Sequence, residues 1–202
     1  MPTRLLLISH AATAAMRSGR FPADDALNTL DERALIAAAA LRRRLPAMEG
    51  EATAFCSPAL CARETAQALG LAAQLSEPLA DMDYGRWRGL RLAEVGAAEP
   101  AALAAWSSDP VAEPAPHGGE SFNAVLARVG AWLDMLGDAD SAVGSPVTGS
   151  VIAVTHAPVV RAAIVHAIGA VPQTFSRIEV APLSVVELRH SKRGWTWWPA
   201  QS

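Results

Sequence analysis

The chain has 202 residues, of which 51% are hydrophobic and 18% are charged, so it can bury one sizeable core and is not a long disordered chain. Its formal net charge of -3 at pH 7 excludes the basic footprint of a nucleic-acid binder. The two cysteines, Cys56 and Cys61, are spaced neither as a redox C-x-x-C pair nor as half of a zinc site, and we expect reduced thiols.

The hydrophobic segments are too short or too interrupted to cross a membrane. The apolar run from Leu5 to Ile8 is followed at once by polar residues, which also excludes a signal peptide. The most hydrophobic late region, 151–171, contains His156, Arg161 and His166. We therefore expect a cytoplasmic protein with no membrane partner.

In its first half the chain alternates strands and helices. The apolar run from Leu5 to Ser9 predicts a strand that is buried on both faces. Residues 31–45 predict a helix whose acidic first turn and basic last turn match the helix dipole. A strand, a helix and a third short strand are then predicted over 52–56, 62–69 and 72–76.

The middle segment, 77–119, is punctuated by prolines and carries short helical patches, and we interpret it as a cap over one edge of the sheet. An amphipathic helix, an apolar strand and a second helix are predicted over 120–136, 150–155 and 159–168. Two closing strands, which suggest a hairpin, are predicted over 183–189 and 195–198.

This alternation predicts one α/β domain over residues 1–202, with three layers (α/β/α) and a mostly parallel central sheet. The sequence shows no internal repeat and no linker that would divide the chain. Three tryptophans near the C-terminus, Trp195, Trp197 and Trp198, suit either packing on the edge of the sheet or a homodimer contact.

Two histidines directly follow the two most apolar strands. His10 comes after the first strand and His156 after the strand over 150–155, each before small residues. Ligands of open α/β sheets bind at the carboxyl ends of the strands. A single histidine there is more often structural, but the identical placement of two favours a shared site.

Other candidate groups lie near the same edge. Arg63 follows the second strand, where its guanidinium group would either hold phosphoryl oxygens or form a surface ion pair with Glu64. Asp81 and Asp83 lie in an irregular segment, where a carboxyl group acts as a general acid or caps a turn. A serine hydrolase is disfavoured, because no G-x-S-x-G motif is present.

Taken together, these residues resemble the histidine phosphatase superfamily, which has the phosphoglycerate mutase-like fold, and specifically its smaller branch. The resemblance extends from Leu5 to about Leu188. Five elements carry it in the family's order: Leu7–Thr13 at the Arg-His-Gly signature, Ser57–Ala66 at the Ser-x-x-x-x-x-Arg-x-Thr-Ala element, Asp81–Gly89 at the acid and Gly-x-Trp-x-Gly segment, Gly118–Ser121 at the Gly-Glu-Ser turn, and Val154–Arg161 at the second-histidine element.

The resemblance implies a metal-independent phosphomonoesterase without a cofactor, acting on a small phosphorylated metabolite. His10 would attack phosphorus and form a phosphohistidine that water then hydrolyses. Asp81 would protonate the departing alkoxide and later activate water, and Asp83 is the competing proton donor.

The resemblance also implies a set of phosphate contacts. Arg63 and His156 would neutralise the phosphoryl oxygens, and the backbone N–H of Ala157 would be a further donor. Ser9 and Thr13, on either side of the first histidine motif, complete the predicted set.

The chain departs from the family signature at several positions. Ser9 replaces the arginine before the nucleophile, and Ala11 replaces a glycine. Arg17 or Arg20 would restore the lost cation if either swings into the vacancy. Met16 stands nearest to a usual asparagine, which argues against mutase activity. The alternative function is a catalytically impaired relative that binds a phosphorylated ligand or a partner protein and regulates.

Overall fold

The computed structural model of the protein describes residues 3–23, 26–45, 52–137 and 149–199. Its strands are β1 (Arg4–Ser9), β2 (Thr53–Cys56), β3 (Gln74–Leu75), β4 (Ser150–Thr155), β5 (Val185–Ser191) and β6 (Gly194–Trp198). Its α-helices are α1 (Ala14–Arg17), α2 (Glu32–Arg42), α3 (Leu60–Ala68), α4 (Leu92–Ala98), α5 (Pro100–Ser108), α6 (Phe122–Gly137) and α7 (Ala157–Ile168). Short 3-10 helices occur at Ala26–Asn28, Glu77–Leu79, Gly85–Trp87 and Pro172–Arg177.

The six strands form one sheet in the order β3-β2-β4-β1-β5-β6. The first four of these are mutually parallel, whereas β5 runs antiparallel to β1, and β6 antiparallel to β5. The predicted α/β fold with a mostly parallel central sheet is therefore confirmed. Strands β1 and β4 are neighbours in register, with Ser9 opposite Thr155, so their carboxyl ends are level.

The two central strands are covered on both faces, which is why they are continuous apolar runs in the sequence. Leu5 and Leu7 of β1 lie in a core formed with α6 and α7. Leu6 and Ile8, which point the other way, lie in a second core with residues of α3. This alternation follows from the two-residue period of a strand and gives the three layers.

The helices differ from prediction mainly at their ends. Helix α2 is capped by Asp31, whose Oδ1 accepts a hydrogen bond from the Ala34 N–H at 2.8 Å, and it ends at Arg42 rather than at residue 45. Helix α3 begins at Leu60, two residues before the predicted start. The loop predicted over 138–149 lies outside the described residues except at Gly149.

The segment over 77–119 carries two short 3-10 helices together with α4 and α5. Phe21, Trp87 and Val95 form a small core here, and Trp106 packs on it. His117 is buried against this cluster, with its ring centroid 5.2 Å from that of Trp87. These tryptophans therefore pack the segment, while its interpretation as a cap within one domain stays a prediction.

The C-terminal tryptophans divide into a buried one and two exposed ones. Trp195 is buried, and its Nε1–H donates to the carbonyl oxygen of Leu133 at 3.0 Å, which ties β6 to α6. Trp197 and Trp198 are 51% and 40% exposed, so the homodimer contact stays a prediction. Within the described residues, no helix combines the length and the apolar character that crossing a membrane requires.

Candidate active site

The two histidines predicted from the strand ends meet above the sheet. The centroids of the His10 and His156 rings are 4.9 Å apart, and the ring planes are inclined at 64°. The cause is the register of β1 and β4, which brings both strands to the same edge before each histidine. The backbone N–H of His10 donates to the Thr155 carbonyl at 2.8 Å and continues this pairing.

Among the described residues, His10 has a hydrogen-bond partner at one ring nitrogen only. Its Nδ1 lies 2.8 Å from the carbonyl oxygen of Ala11, which can only accept, so Nδ1 carries the proton and Nε2 keeps its lone pair. Burial and, secondly, the positive charge of His156 lower the pKa of His10 to about 4. The imidazole is therefore neutral at pH 7.

His156 has polar partners at both ring nitrogens. Its Nε2 lies 2.8 Å from the Ser57 hydroxyl, and its Nδ1 lies 3.3 Å from Oδ2 of Asp81. Burial alone would favour the neutral form of Asp81, but the two imidazoles and the N–H of Met82 together hold its pKa below the ordinary value. Asp81 is thus a carboxylate paired with His156 in the resting site.

The segment that carries Asp81 is fixed by an arginine that the sequence analysis did not single out. Arg128 of α6 donates to the carbonyl oxygens of Pro78 at 2.7 Å and of Asp81 at 3.1 Å. Its Nε also pairs with Oε1 of Glu120 at 2.7 Å. Arg128 is the one basic residue of α6. In the sequence, this isolated charge among the apolar positions of an amphipathic helix was the feature that could have indicated its role.

Helix α3 presents a cysteine, not an arginine, to the histidine pair. The Cys61 Sγ and one ring nitrogen each of His10 and His156 all lie within 4.8 Å of one another. Burial raises the pKa of the Cys61 thiol to about 12, so the sulfur is protonated. A cysteine that was predicted only to be a reduced thiol therefore lies beside the candidate nucleophile.

Arg63 does not lie with the histidines, so the placement predicted for it is wrong. Its side chain is exposed and lines a separate depression with Glu64 and Gln67. The reason is helical geometry: residues two positions apart are rotated by about 200° around the axis. Since Cys61 faces the histidines, Arg63 faces away from them.

The hydroxyls of Ser9 and Thr13 both make hydrogen bonds to the backbone. The Ser9 hydroxyl donates to the Ala181 carbonyl at 2.6 Å and accepts from the Ser184 N–H at 3.0 Å. The Thr13 hydroxyl caps α1 by accepting from the Met16 N–H at 3.2 Å. The predicted contacts of these two side chains with phosphate stay predictions.

Ala157 is the first residue of α7 and directly follows His156. The first N–H groups of a helix have no partner within the helix, and they attract anions. The position expected for Ala157 is therefore observed, while its contact with phosphate stays a prediction.

The two loop arginines considered as replacements behave differently. Arg17 is exposed, pairs with Asp31 and donates to the carbonyl of Ala12 at 3.2 Å, so it is directed away from the histidines. Arg20 lines the cavity, where its Nη1 donates to the Gly89 carbonyl at 2.7 Å.

A second cavity-lining guanidinium group, that of Arg88, was not among the predicted site residues. Arg88 pairs with Asp83 at 3.7 Å. Asp83 is exposed, and its Oδ1 accepts from the Gly85 N–H at 2.9 Å, which is a turn-capping role. Of the two candidate acids, Asp81 is therefore the one in contact with His156.

These groups line a cavity of about 880 Å³. Its polar lining includes both histidines, Ser57, Cys61 and Asp81, together with Arg20 and Arg88. The volume lies in the range of about 300–1,000 Å³ that is usual for small-molecule sites. The arrangement offers a neutral nucleophile, an imidazole–carboxylate pair and cations within one chamber.

Curated relatives match part of the chain. The bifunctional protein Rv2228c of Mycobacterium tuberculosis is 36% identical over 135 residues, which is 63% of this chain and 35% of that protein. A protein of Mycobacterium bovis matches with the same identity and the same coverage. The chain thus spans about a third of the length of the curated relatives it matches.

Solved structures match nearly the whole chain. The α-ribazole phosphatase of Shigella flexneri has a TM-score of 0.81 at 21% identity, covering 98% of this chain and 96% of that one. The mycobacterial glucosyl-3-phosphoglycerate phosphatase Rv2419c, solved with VO3, has a TM-score of 0.78 at 25% identity, covering 96% of each chain. A phosphoserine phosphatase of Entamoeba histolytica has a TM-score of 0.78 at 15% identity, covering 96% and 94%.

The structural neighbours named above are phosphatases with the same fold. The family model of the histidine phosphatase superfamily (branch 1) matches residues 5–198, nearly the full length of the sequence. The chain therefore belongs to the histidine phosphatase superfamily.

Proposed function

We propose that the protein hydrolyses phosphate monoesters through a phosphohistidine on His10. The observation that carries this proposal is the free Nε2 of His10, which results from the bond between Nδ1 and the Ala11 carbonyl. Because the imidazole is neutral at pH 7, it needs no base to become a nucleophile. His156 and Asp81 complete the group around the same chamber.

In the first step, Nε2 of His10 attacks phosphorus, and the ester P–O bond breaks. The alkoxide that leaves takes a proton from Asp81, and a dianionic phosphate bound beside this carboxylate raises its pKa and favours its protonation beforehand. In the second step, the Asp81 carboxylate accepts a proton from water, which attacks the phosphohistidine and releases inorganic phosphate.

His156 would neutralise phosphoryl oxygen charge in both steps. Its Nδ1 lies 3.3 Å from Oδ2 of Asp81, so this ring and the proposed proton donor face the same chamber. Among the described residues that line the cavity, Arg20 and Arg88 carry the guanidinium groups. Their carboxylate contacts are long, 4.0 Å to Glu94 and 3.7 Å to Asp83, and half-exposed pairs of this kind contribute little stability. A substrate phosphate would compete for these guanidinium groups with the two carboxylates and with the Gly89 carbonyl, which accepts from Arg20.

The substrate class we propose is a small phosphate ester of an alcohol. The names of the structural neighbours refer to α-ribazole phosphate, glucosyl-3-phosphoglycerate and phosphoserine, which have this chemistry in common. A cavity of about 880 Å³ is sufficient for a sugar-sized alcohol with its phosphate. Mutase activity is not part of this proposal.

A second candidate function is phosphate-ester binding without turnover, in a regulatory role. The observation that favours it is the position of Arg63 outside the chamber, with the neutral Cys61 facing the histidines instead. Without a guanidinium group on α3, the transition state has one fewer charged donor for the phosphoryl oxygens.

The test compares hydrolysis of p-nitrophenyl phosphate by the wild type and His10→Ala, with a metal chelator present throughout. We expect turnover in the wild type and a loss of at least about a thousandfold in the variant. His166→Ala is the matched control, since this histidine pairs with Asp134 at 2.9 Å outside the cavity.

Equal turnover in the wild type and His10→Ala would contradict the proposal. If the wild type shows no turnover but binds vanadate, and His10→Ala does not bind it, the second candidate is correct instead.

A further inference from the structure

Three side chains that ligate metals line the same wall of the cavity. They are the imidazoles of His10 and His156 and the thiol of Cys61, and their donor atoms all lie within 4.8 Å of one another. They come from separate elements: the ends of β1 and β4 and the first turn of α3. Two imidazoles and one thiolate are ligands that Zn²⁺ prefers.

We propose that His10, Cys61 and His156 bind one divalent metal ion of the zinc type. Zinc bonds of about 2.0–2.3 Å in tetrahedral geometry place nitrogen and sulfur donors about 3.3–3.6 Å apart. Since the donors now lie within 4.8 Å of one another, binding requires them to approach by at most about 1.2–1.5 Å. Water or a ligand in the cavity that all three residues line would occupy the fourth position.

The surroundings of His10 suit a metal ligand. Histidines that bind metals usually donate their other ring N–H to a carbonyl or a carboxylate, which fixes the orientation of the ring. His10 donates Nδ1–H to the Ala11 carbonyl, and Nε2 is left for the metal. This bond therefore supports metal binding as well as it supports nucleophilic attack.

His156 has the same kind of outer partner. Its two nitrogens contact the Ser57 hydroxyl at 2.8 Å and the Asp81 carboxylate at 3.3 Å. If Nδ1, which makes no hydrogen bond within the described part of the chain, binds the metal, Nε2 keeps its contact with the Ser57 hydroxyl. Binding breaks the S–H bond of Cys61 and releases its proton to solvent, and the resulting thiolate together with the Asp81 carboxylate offsets the two positive charges of the ion.

The backbone of Cys61 is held against the loop that follows His10. The Thr65 hydroxyl donates to the Cys61 carbonyl at 2.7 Å and accepts from the Ala11 N–H at 3.1 Å. This buried bridge fixes α3 relative to the carboxyl end of β1, so the thiol and the imidazole keep their separation. The site is preorganised to that extent.

Cys56 provides a natural contrast. It is also buried, but it lies in the apolar core with Leu6 and Ile8, and within the described residues it belongs to no group of potential metal ligands. A thiol needed only for packing would resemble Cys56. The two cysteines therefore form a matched pair for experiment.

The metal site does not rest on the proposed phosphatase activity, although the two share His10. A metal on Nε2 occupies the lone pair that would attack phosphorus. We therefore expect Zn²⁺ to inhibit hydrolysis of p-nitrophenyl phosphate and a chelator to restore it. The binding experiment itself uses no substrate, so its outcome is separate from that of the activity assay in chelator.

The experiment is a titration of the chelator-treated full chain with Co²⁺, followed by absorption spectroscopy. We expect one equivalent to bind with tetrahedral d–d bands and a sulfur-to-cobalt charge-transfer band, and Zn²⁺ to displace it. Cys61→Ser should abolish the charge-transfer band and weaken binding at least about 100-fold, whereas Cys56→Ser should retain both.

The proposal is overturned if the wild type binds no stoichiometric Co²⁺, or if the charge-transfer band persists in folded Cys61→Ser. X-ray absorption spectroscopy of the zinc-loaded wild type decides the matter even if that variant does not fold. One sulfur and two imidazole nitrogens in the first shell support the site, and a shell of oxygen and nitrogen alone refutes it.

Discussion

Replacing Cys61 by arginine should raise phosphatase turnover, because the guanidinium group then projects from the face of α3 that meets the histidines. The resemblance to the family implies an arginine on this helix, but Arg63 lies on the outer face. The Cys61 Sγ lies within 4.8 Å of one nitrogen of each imidazole, and Cys61 lines the cavity of about 880 Å³, which has room for a longer side chain.

The size of the effect follows from the bonds gained. Hydrogen bonds to charged groups contribute about 1.5–3 kcal/mol. About 1.36 kcal/mol corresponds to a factor of ten in rate. If the new hydrogen bonds form fully in the transition state, kcat/KM therefore rises by about one to two orders of magnitude. The assay is hydrolysis of p-nitrophenyl phosphate in chelator, with circular dichroism to verify the fold.

Two controls isolate the charge at this position. Cys61→Ser removes the thiol without adding a cation, and Arg63→Ala removes the outer guanidinium group and should leave kcat/KM unchanged within about twofold, as surface substitutions usually do. The reasoning is refuted if folded Cys61→Arg is no faster than the wild type while Arg63→Ala is clearly slower.

Three further predictions concern groups that position or stabilise the site. Arg128→Leu should lower kcat by up to about 100-fold with a smaller change in KM, because the substitution releases the backbone of Asp81. Steady-state kinetics in which only KM changed would contradict this prediction. Thr65→Val should destabilise the protein by about 1–3 kcal/mol in urea unfolding, since it leaves a buried Ala11 N–H unpaired, and an unchanged midpoint would contradict this. Burial opposes ionisation of Glu187, but its two arginine partners hold the pKa of this carboxyl below the ordinary value. The contribution of this carboxylate to folding stability is therefore fully present above the unfolded pKa of about 4.3, and it is lost as the pH falls through the folded pKa. Glu187→Gln should therefore lose stability at pH 7 and show a shallower loss on acidification; parallel pH curves for variant and wild type would contradict this.

The sequence alone was sufficient to predict the two central strands and the convergence of the two histidines. Strands β1 and β4 are buried on both faces, so each is an unbroken apolar run, and a histidine follows each run directly. Once the two strands are neighbours, the convergence of His10 and His156 needs no further information, because parallel strands end at the same edge.

The residues around this pair were harder to predict, because their orientation depends on details that hydrophobic patterns do not contain. A start two residues earlier for α3 gives Cys61 the inner face and Arg63 the outer one. Ser9 is taken up by the loop before β5, which approaches it from a distant part of the chain. Arg128 reaches Asp81 across 47 positions of sequence, and no local pattern indicates such a contact.

The most direct test of the account is to trap the covalent intermediate. Wild-type protein is mixed in chelator with a phosphate ester labelled in its phosphoryl group, denatured in alkali within the first turnover, digested and mapped by mass spectrometry. The account predicts an acid-labile, alkali-stable phosphoryl group on the peptide that contains His10, and none in His10→Ala. Turnover by the wild type with no label on His10 would contradict it.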